Sequence, residues 1–442
     1  MSSTLIRHAT ILTMNDRAEI VTGAVGVRDG AIVSVGAEPV GRWDTTIDAG
    51  EAYLLPGFIQ THVHLCQTLF RGFADDLPLL EWLRRRVWPL EAAHTAATLR
   101  ASARLAAAEL LLSGTTTALT METVHDTDAV FETLADVGLR ATVGKCMMDA
   151  DAQVPGRLRE QTQRSIDDSV SLHARWNGAR NGRLRAAFAP RFAVSCSRDL
   201  LEAVASLASR ADMLVHTHAS ESQAEVEIVR KLSGGLTNLE YLADTGLATR
   251  HLCVAHCVWV TDDEQSLMAE RGVNVMHCPG SNLKLGSGIA PVPEMRAKGI
   301  SVSIGADGAA CNNRLDMFDE MRLAATLQAV RRGPGALPAR DVLWMATREG
   351  AKALGLQDQI GSIEVGKRAD LILIDRNAPH LQADRDPWST IVYAARGPDV
   401  RLTMVDGELL VRDFALTQLD ARSIAIEARA AADELATRAG LA

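Results

Sequence analysis

The chain opens with short apolar–polar alternations broken by turns. "TLIRHATILTM", "GAVGVRDGAIVSVG" and "TTIDAGEAYLLPG" have Gly and Asp between them. Such runs predict strands of a small β-sandwich over 1–57. After Phe58 the texture changes. Continuous apolar runs alternate with amphipathic helical stretches: "TTTALTM", "RATVGKCMMD", "LRAAFAPRF", "MLVHTHAS", "LCVAHCVWV", "VNVMHCP" and "SVSIGAD". Strands buried on both faces of a parallel sheet read this way. Most of these runs recur about every 30–40 residues, a spacing that suits βα units. Counting the strand that carries His62, eight units fit into 58–360, so a (β/α)₈ TIM barrel is expected, with its chemistry at the C-terminal strand ends. Between the runs, "TLRASARLAAAELLLSG" reads as a helix stopped at Gly114. From 361 short strands return in "GSIEVGKRADLILID" and "VRLTMVDGELLVRD", which can complete the first sandwich. An Ala-rich amphipathic helix over 418–440 ends the chain. The expected organisation is thus a sandwich from both ends (1–57 and 361–442) around a barrel at 58–360.

Composition narrows the function. Of 442 residues, 47% are apolar and 23% charged, as in ordinary globular proteins. The net charge of −9 argues against a nucleic-acid footprint, which would be basic. No run of about 18 apolar residues suggests a membrane span, and the start, "MSSTLIRHATILTMND", lacks a signal-peptide pattern. The seven cysteines are odd in number and include no C-x-x-C, so disulfides and Cys-rich zinc sites are not expected. A reducing cytoplasm is the expected compartment.

The apolar runs end in chemistry. His62 and His64 in "PGFIQTHVHLCQTLFRG" lie at i and i+2, on one side of a strand. His218 and Glu221 follow in "VHTHASES", His256 in "VAHC", and Asp307 in "GADGAACNN" between Gly305 and Gly308. Each is weak alone. An H-x-H is as readily a satisfied pair near a surface, and an Asp after a strand is more often a cap or turn residue. Together they make a plausible N/O set for Zn²⁺ or Fe²⁺ with room for water. Glu221 and Asp307 could then move protons, and His256 could bond the attacking water. His216 shares the face of His218 and suits the core or a supporting position, whereas His277 divides evenly between packing and substrate contact.

"PGFIQTHVH", "HASE", "AHC", "SNLKLGSGIAPVPEM" and "GADGAACNNRLDMFDEMRLA" together resemble the amidohydrolase superfamily, in its branch of mononuclear-metal deaminases and triazine hydrolases. The resemblance spans nearly the whole chain. It implies one Zn²⁺ (or Fe²⁺) held by His62, His64, His218 and Asp307. It also implies that Glu221 shuttles protons, that His256 orients the water, and that Asp307 accepts the water's proton. Within the branch, "LFRGFADDLPLLEWLRRRVWPLEAAHT" is most similar to deaminases of 5′-deoxyadenosine, methylthioadenosine and S-adenosylhomocysteine. That similarity places Trp82 in the pocket wall and gives Glu91 the ribose hydroxyls, because a carboxylate suits a vicinal diol. Without the resemblance Glu91 reads as a helix-surface charge. Lys145 stands where an Arg often grips the homocysteine carboxylate, and a Lys makes no bidentate fork. Arg157 is the implied second cation. Arg191, in "APRFAVSCS", resembles the guanine-deaminase pattern and pulls toward a guanine-like purine. The expected reaction is hydrolytic deamination of a purine nucleoside to its inosine analogue and ammonia, by a homo-oligomer. Guanine or another aminopurine, or an s-triazine, is the alternative substrate, and a non-catalytic barrel scaffold is the remaining reading.

Overall fold

A computed structural model describes residues 3–151 and 153–441. Two nine-stranded sheets organise the chain. The first is wholly parallel and of TIM-barrel type. It runs from Phe58–His64 through Thr115–Met121, Arg140–Met147, Leu184–Pro190, Val215–Ala219, Leu252–His256 and Asn274–His277 to Ser301–Ile304. The two-residue bridge Asp307–Gly308 pairs back onto Val63 and His64. Nearly every residue of these strands is buried, the reason their sequences read as unbroken apolar runs. Helices intervene, as the spacing required. Ala96–Leu112 starts from a Thr95–Thr98 capping box, and the chain beyond it turns at Gly114, which has φ +86°.

The second sheet joins both chain ends. Strand Ser3–Leu12 pairs antiparallel with Ile20–Arg28 and parallel with Thr45–Asp48 and Tyr53–Pro56. Tyr53–Pro56 pairs with Leu371–Ile374, which leads on to Val400–Val405 and Glu408–Arg412. The register of Ser3–Leu12 shifts between Ile6 and Ala9, around His8 at φ 57°. On either side of that irregularity the strand takes a different parallel neighbour. Buried Arg140, at the start of a barrel strand, ties the two sheets together. Its Nε and Nη2 donate to Asp370 at 2.7 and 3.0 Å.

The long C-terminal helix Ala421–Ala439 is capped by Asp420 and closed by Gly440. The sequence pattern placed Glu91 on a helix but did not show the widened turn that precedes it. Leu79–Trp82 passes through a widened π-type turn, Leu83–Val87, into Trp88–Ala93. Pro89 has no N–H to return to the preceding turn and its ring crowds the carbonyl there, so the widened turn accommodates it. All seven cysteines are free and buried. Burial, the largest influence, pushes the Cys146 and Cys253 thiols up to about 12. No helix among the described residues is long and apolar enough to cross a membrane.

Candidate metal centre and active site

The C-terminal ends of the barrel strands bring His62, His64, His218 and Asp307 together, with one ligand atom of each within 4.8 Å of all the others. Asp307 Oδ1 lies 3.2 Å from both His62 Nε2 and His64 Nε2, and His64 Nε2 lies 3.3 Å from His218 Nε2. The edges of a tetrahedron with zinc-length bonds run to about 3.4 Å. The tautomers are fixed from behind. His64 Nδ1 donates to the Met121 carbonyl and His218 Nδ1 to the Arg191 carbonyl, each at 2.7 Å. A carbonyl can only accept, so both Nε2 lone pairs face the cluster. His62 Nδ1 meets His216 Nε2 at 2.6 Å, so His216 supports the ligand set. The Nε2 atoms of His62 and His256 are buried with no hydrogen-bond partner. Orphaned nitrogens around a shared carboxylate are what a divalent cation would satisfy, so the donor set fits the expected metal.

The backbone is bent to make this cluster. Ser220, His256, Cys257 and Asp307 all sit at positive φ, between 47 and 75°. Left-handed backbone at a non-glycine residue costs on the order of 1–3 kcal/mol and gathers at functional sites. Gly305 is needed where it stands, because a Cβ there would come within 2.6 Å of the His62 carbonyl oxygen.

The proton-handling groups lie beside the cluster. Glu221 Oε2 is 3.4 Å from His256 Nε2, which is 3.8 Å from Asp307 Oδ2. Burial first, then the negative charges of Asp307 and Glu225, hold the Glu221 carboxyl well above its ordinary range. Burial would raise Asp307 too, but the charges and bonds of His62 and His64 keep it well below. Burial lowers His62 to about 4 and keeps its imidazole neutral.

Three supporting residues went unread in the sequence. Ser281 Oγ donates to Asp307 Oδ2 at 2.7 Å, Asn282 Oδ1 meets His256 Nδ1 at 2.8 Å, and Ser287 Oγ donates to Glu221 Oε1 at 3.4 Å. All lie in "SNLKLGS", whose pattern was noticeable but whose contacts cross the barrel. Glu225 also escaped notice, although it accepts the backbone N–H groups of Ser220 and Glu221 and so fixes the loop that presents Glu221.

The remaining expected residues divide. Trp82 and Arg191 line the pocket over the cluster, and Leu79, Leu83 and Phe192 close it to a cavity of about 20 Å³. Glu91 is buried, not on a helix surface. Its Oε2 accepts from Arg191 Nη1 at 2.6 Å and its Oε1 from Gln67 Nε2 at 3.0 Å. Lys145 and Arg157 are not brought to this pocket. Lys145 Nζ donates to Glu160 at 2.5 Å, and Arg157 Nη2 donates to the His94 carbonyl at 2.9 Å. His277 is buried at its strand end with neither ring nitrogen bonded, and burial, then His256, holds it at about 3.

The family model for the amidohydrolase family matches residues 53–410. The chain belongs to this family. It is 38% identical over 441 residues to a 5′-deoxyadenosine deaminase of Methanosarcina acetivorans, covering 99% of this chain and 100% of the relative. It is also 38% identical over 429 residues to a 5-methylthioadenosine/S-adenosylhomocysteine deaminase of Moorella thermoacetica, covering 96% of this chain and 97% of that one. Among solved structures, a zinc-bound adenosine deaminase of Xanthomonas campestris superposes with a TM-score of 0.92 at 34% identity, covering 99% of both chains. The amidohydrolase family assignment and the His/His/His/Asp cluster agree on a mononuclear metal centre.

Proposed function

We propose that this amidohydrolase hydrolytically deaminates the adenine ring of a 5′-modified adenosine, yielding the inosine analogue and ammonia. The carrying observation is buried Glu221, its carboxyl pushed up by burial and by Asp307, set 3.4 Å from His256 beside the His62/His64/His218/Asp307 cluster. A carboxyl pushed up beside a carboxylate held down divides acid and base roles between them. The full-length relatives named for adenine nucleosides support the choice of ring.

A Zn²⁺ ion held by the four ligands supplies the Lewis acidity that makes water nucleophilic near neutral pH. Asp307 then accepts the water's proton through the carboxylate that Ser281 steadies. Glu221 gives its proton to ring N1 as the water oxygen adds to C6. It then collects the adduct's hydroxyl proton as the C6 carbonyl forms and hands it to the departing amine, after which the proton held by Asp307 returns to Glu221. His256, held by Asn282, donates toward the oxygen as charge builds there. One water is consumed; its oxygen becomes the C6 carbonyl and the amine leaves as ammonia. Glu91, buried beside the pocket through Arg191, takes the ribose hydroxyls on this reading, and Trp82 covers the purine. Lys145 and Arg157 are committed to Glu160 and the His94 carbonyl in this arrangement. The parallel sheet is read as a closed eight-stranded barrel, with Ser301–Ile304 and Asp307–Gly308 as one interrupted strand.

One observation favours a second substrate. Arg191 lines the pocket itself and could donate to a purine oxygen, which would suit guanine. A panel of 5′-deoxyadenosine, methylthioadenosine, S-adenosylhomocysteine, adenosine, guanine and melamine, followed by ultraviolet change, separates the two readings. Turnover of nucleosides is expected, and turnover of guanine or melamine alone would overturn the assignment. Metal analysis should find about one zinc per chain.

A further inference from the structure

The stretch that carries Asp307, "GADGAACNNRLDMFDEMRLA", runs on into helix Met317–Arg332. Glu320, in the first turn of that helix, is buried but does not line the reaction pocket. Its carboxyl reaches back to two separate segments. Oε1 accepts from Asn312 Nδ2 at 2.8 Å, and the same amide nitrogen donates to the Ala306 carbonyl at 2.8 Å. Ala306 immediately precedes Asp307, the member of the donor cluster held at φ 64°. Oε2 accepts the backbone N–H of Gly280 at 3.0 Å. Gly280 leads into Ser281 and Asn282, which bond Asp307 Oδ2 and His256 Nδ1. One carboxyl therefore stands behind both the Asp307 loop and the turn that steadies Asp307 and His256.

These contacts leave little slack. A Cβ on Gly280 would fall against Glu320 Oε1 and within 2.7 Å of Asn312 Oδ1, so a larger residue there would push the carboxyl off its bonds. From the other side, buried Gln60 lies two residues before His62. Its Oε1 accepts the Ala306 N–H at 3.2 Å and its Nε2 donates to the Leu315 carbonyl at 2.7 Å. The loop from Ala306 to Leu315 is thus held by Gln60 at its two ends and by Glu320 through Asn312. Burial pushes the Glu320 carboxyl up to about 8, although both N–H bonds pull it down. Burying an ionisable group costs stability, which marks this one as a candidate for work at the adjoining site.

We propose that Glu320 is a positioning residue that fixes the Ala306–Asp307 backbone and the Ser281–Asn282 turn relative to each other. Asp307 is thereby set toward the metal and His256 toward the reacting oxygen by one carboxyl. The proposal rests on the proposed roles of Asp307 and His256. Glu320 touches neither substrate nor metal, so its loss should weaken zinc binding and turnover while KM holds.

Two measurements on the full-length chain test this: zinc affinity by competition with a chromogenic chelator, and steady-state kinetics of the zinc-loaded enzyme with 5′-deoxyadenosine. Glu320→Met removes both acceptor oxygens. It should weaken zinc about tenfold and lower kcat about tenfold, with KM within about twofold of the parent. Glu320→Gln keeps one acceptor oxygen and should recover part of both losses. Asn312→Ala cuts only the Ala306 arm and should weaken zinc several-fold. Because Asn312 acts with Glu320, the double variant Glu320→Met/Asn312→Ala should bind zinc about as Glu320→Met does. The proposal is overturned if Glu320→Met leaves zinc affinity and kcat near the parent's, if it lowers only the melting temperature, or if the two zinc losses multiply in the double variant. Should Glu320→Met fail to fold, half-buried Asn312 carries the test, and unchanged zinc affinity in Asn312→Ala overturns the proposal. An unaltered enzyme that binds zinc but deaminates no nucleoside overturns the proposed function instead, and the zinc measurements still decide on Glu320.

Discussion

Glu221 and Asp307 are both buried carboxyls near one set of imidazoles, yet their surroundings drive them in opposite directions. Asp307 faces His62 and His64 directly, whereas Glu221 faces the negative charges of Asp307 and Glu225. Replacing the proton carrier should therefore abolish chemistry without emptying the site. Glu221→Gln is expected to lower kcat about a thousandfold while metal content stays near one per chain, by activity and metal analysis. His256 is steered through Asn282, so Asn282→Leu should lower kcat about tenfold, with KM little changed. A drop in metal content instead would mean that Asn282 supports the ligand cluster. That His62, His64, His218, Asp307 and Glu221 lie together was legible in the sequence because each follows an apolar run, and strand ends converge in a barrel. Ser281, Asn282 and Ser287 were not, since their partners lie 26 to 66 positions away in the chain. Glu91 read as a surface charge from helical position alone; only the fold puts Arg191 against it.

The element that closes the pocket is the helix pair from Leu79 to Ala93. Its neighbouring loop is pinned by Lys284, whose Nζ donates to Asp75 at 2.5 Å and also bonds Asn313. Gly72 at φ +83° and Asp76 at φ 60° flank Asp75, giving the loop bends on either side of that pin. If the helix must lift for substrate to enter and settle for water to be excluded, loosening the pin shifts that balance toward the open form. Lys284→Ala should raise KM for every nucleoside by up to about fivefold, the scale of a partly exposed ion pair. A variant with unaltered KM would mean that the loop does not govern entry. This element was the least legible. Its widened turn at Leu83–Val87 answers to Pro89, and a helical pattern interrupted by proline carries no signal for what replaces the regular turn. The barrel strands were the most legible, because burial on both faces leaves little but apolar residues until the functional end.

Across the whole molecule, both chain ends share one sheet, and the Arg140–Asp370 pair fastens that sheet to the barrel. Removing one partner strands a buried charge, so Arg140→Met should cost about 3–5 kcal/mol in denaturant unfolding. The strands that return after 361 were expected to join those of the first 57 residues, and Leu371–Ile374 does pair with Tyr53–Pro56; which strands pair, and in what register, has no local signature. Stability should also fall in acid. Burial holds His94 near 4 and His277 near 3 in the fold, against 6.5 for a free imidazole. Their neutral forms stabilise the fold fully above pH 6.5, and that stability is lost as pH falls toward 4 and 3. The slope is about 1.4 kcal/mol per pH unit for each imidazole. Thermal melts between pH 7 and 5 should show the decline, and His94→Gln should flatten it. The seven buried, free thiols give the molecule a built-in census of its own unfolding. A folded chain should stay silent toward an aqueous thiol-reactive dye, and each opened chain should take up seven labels, so that dye uptake counts unfolded molecules one by one.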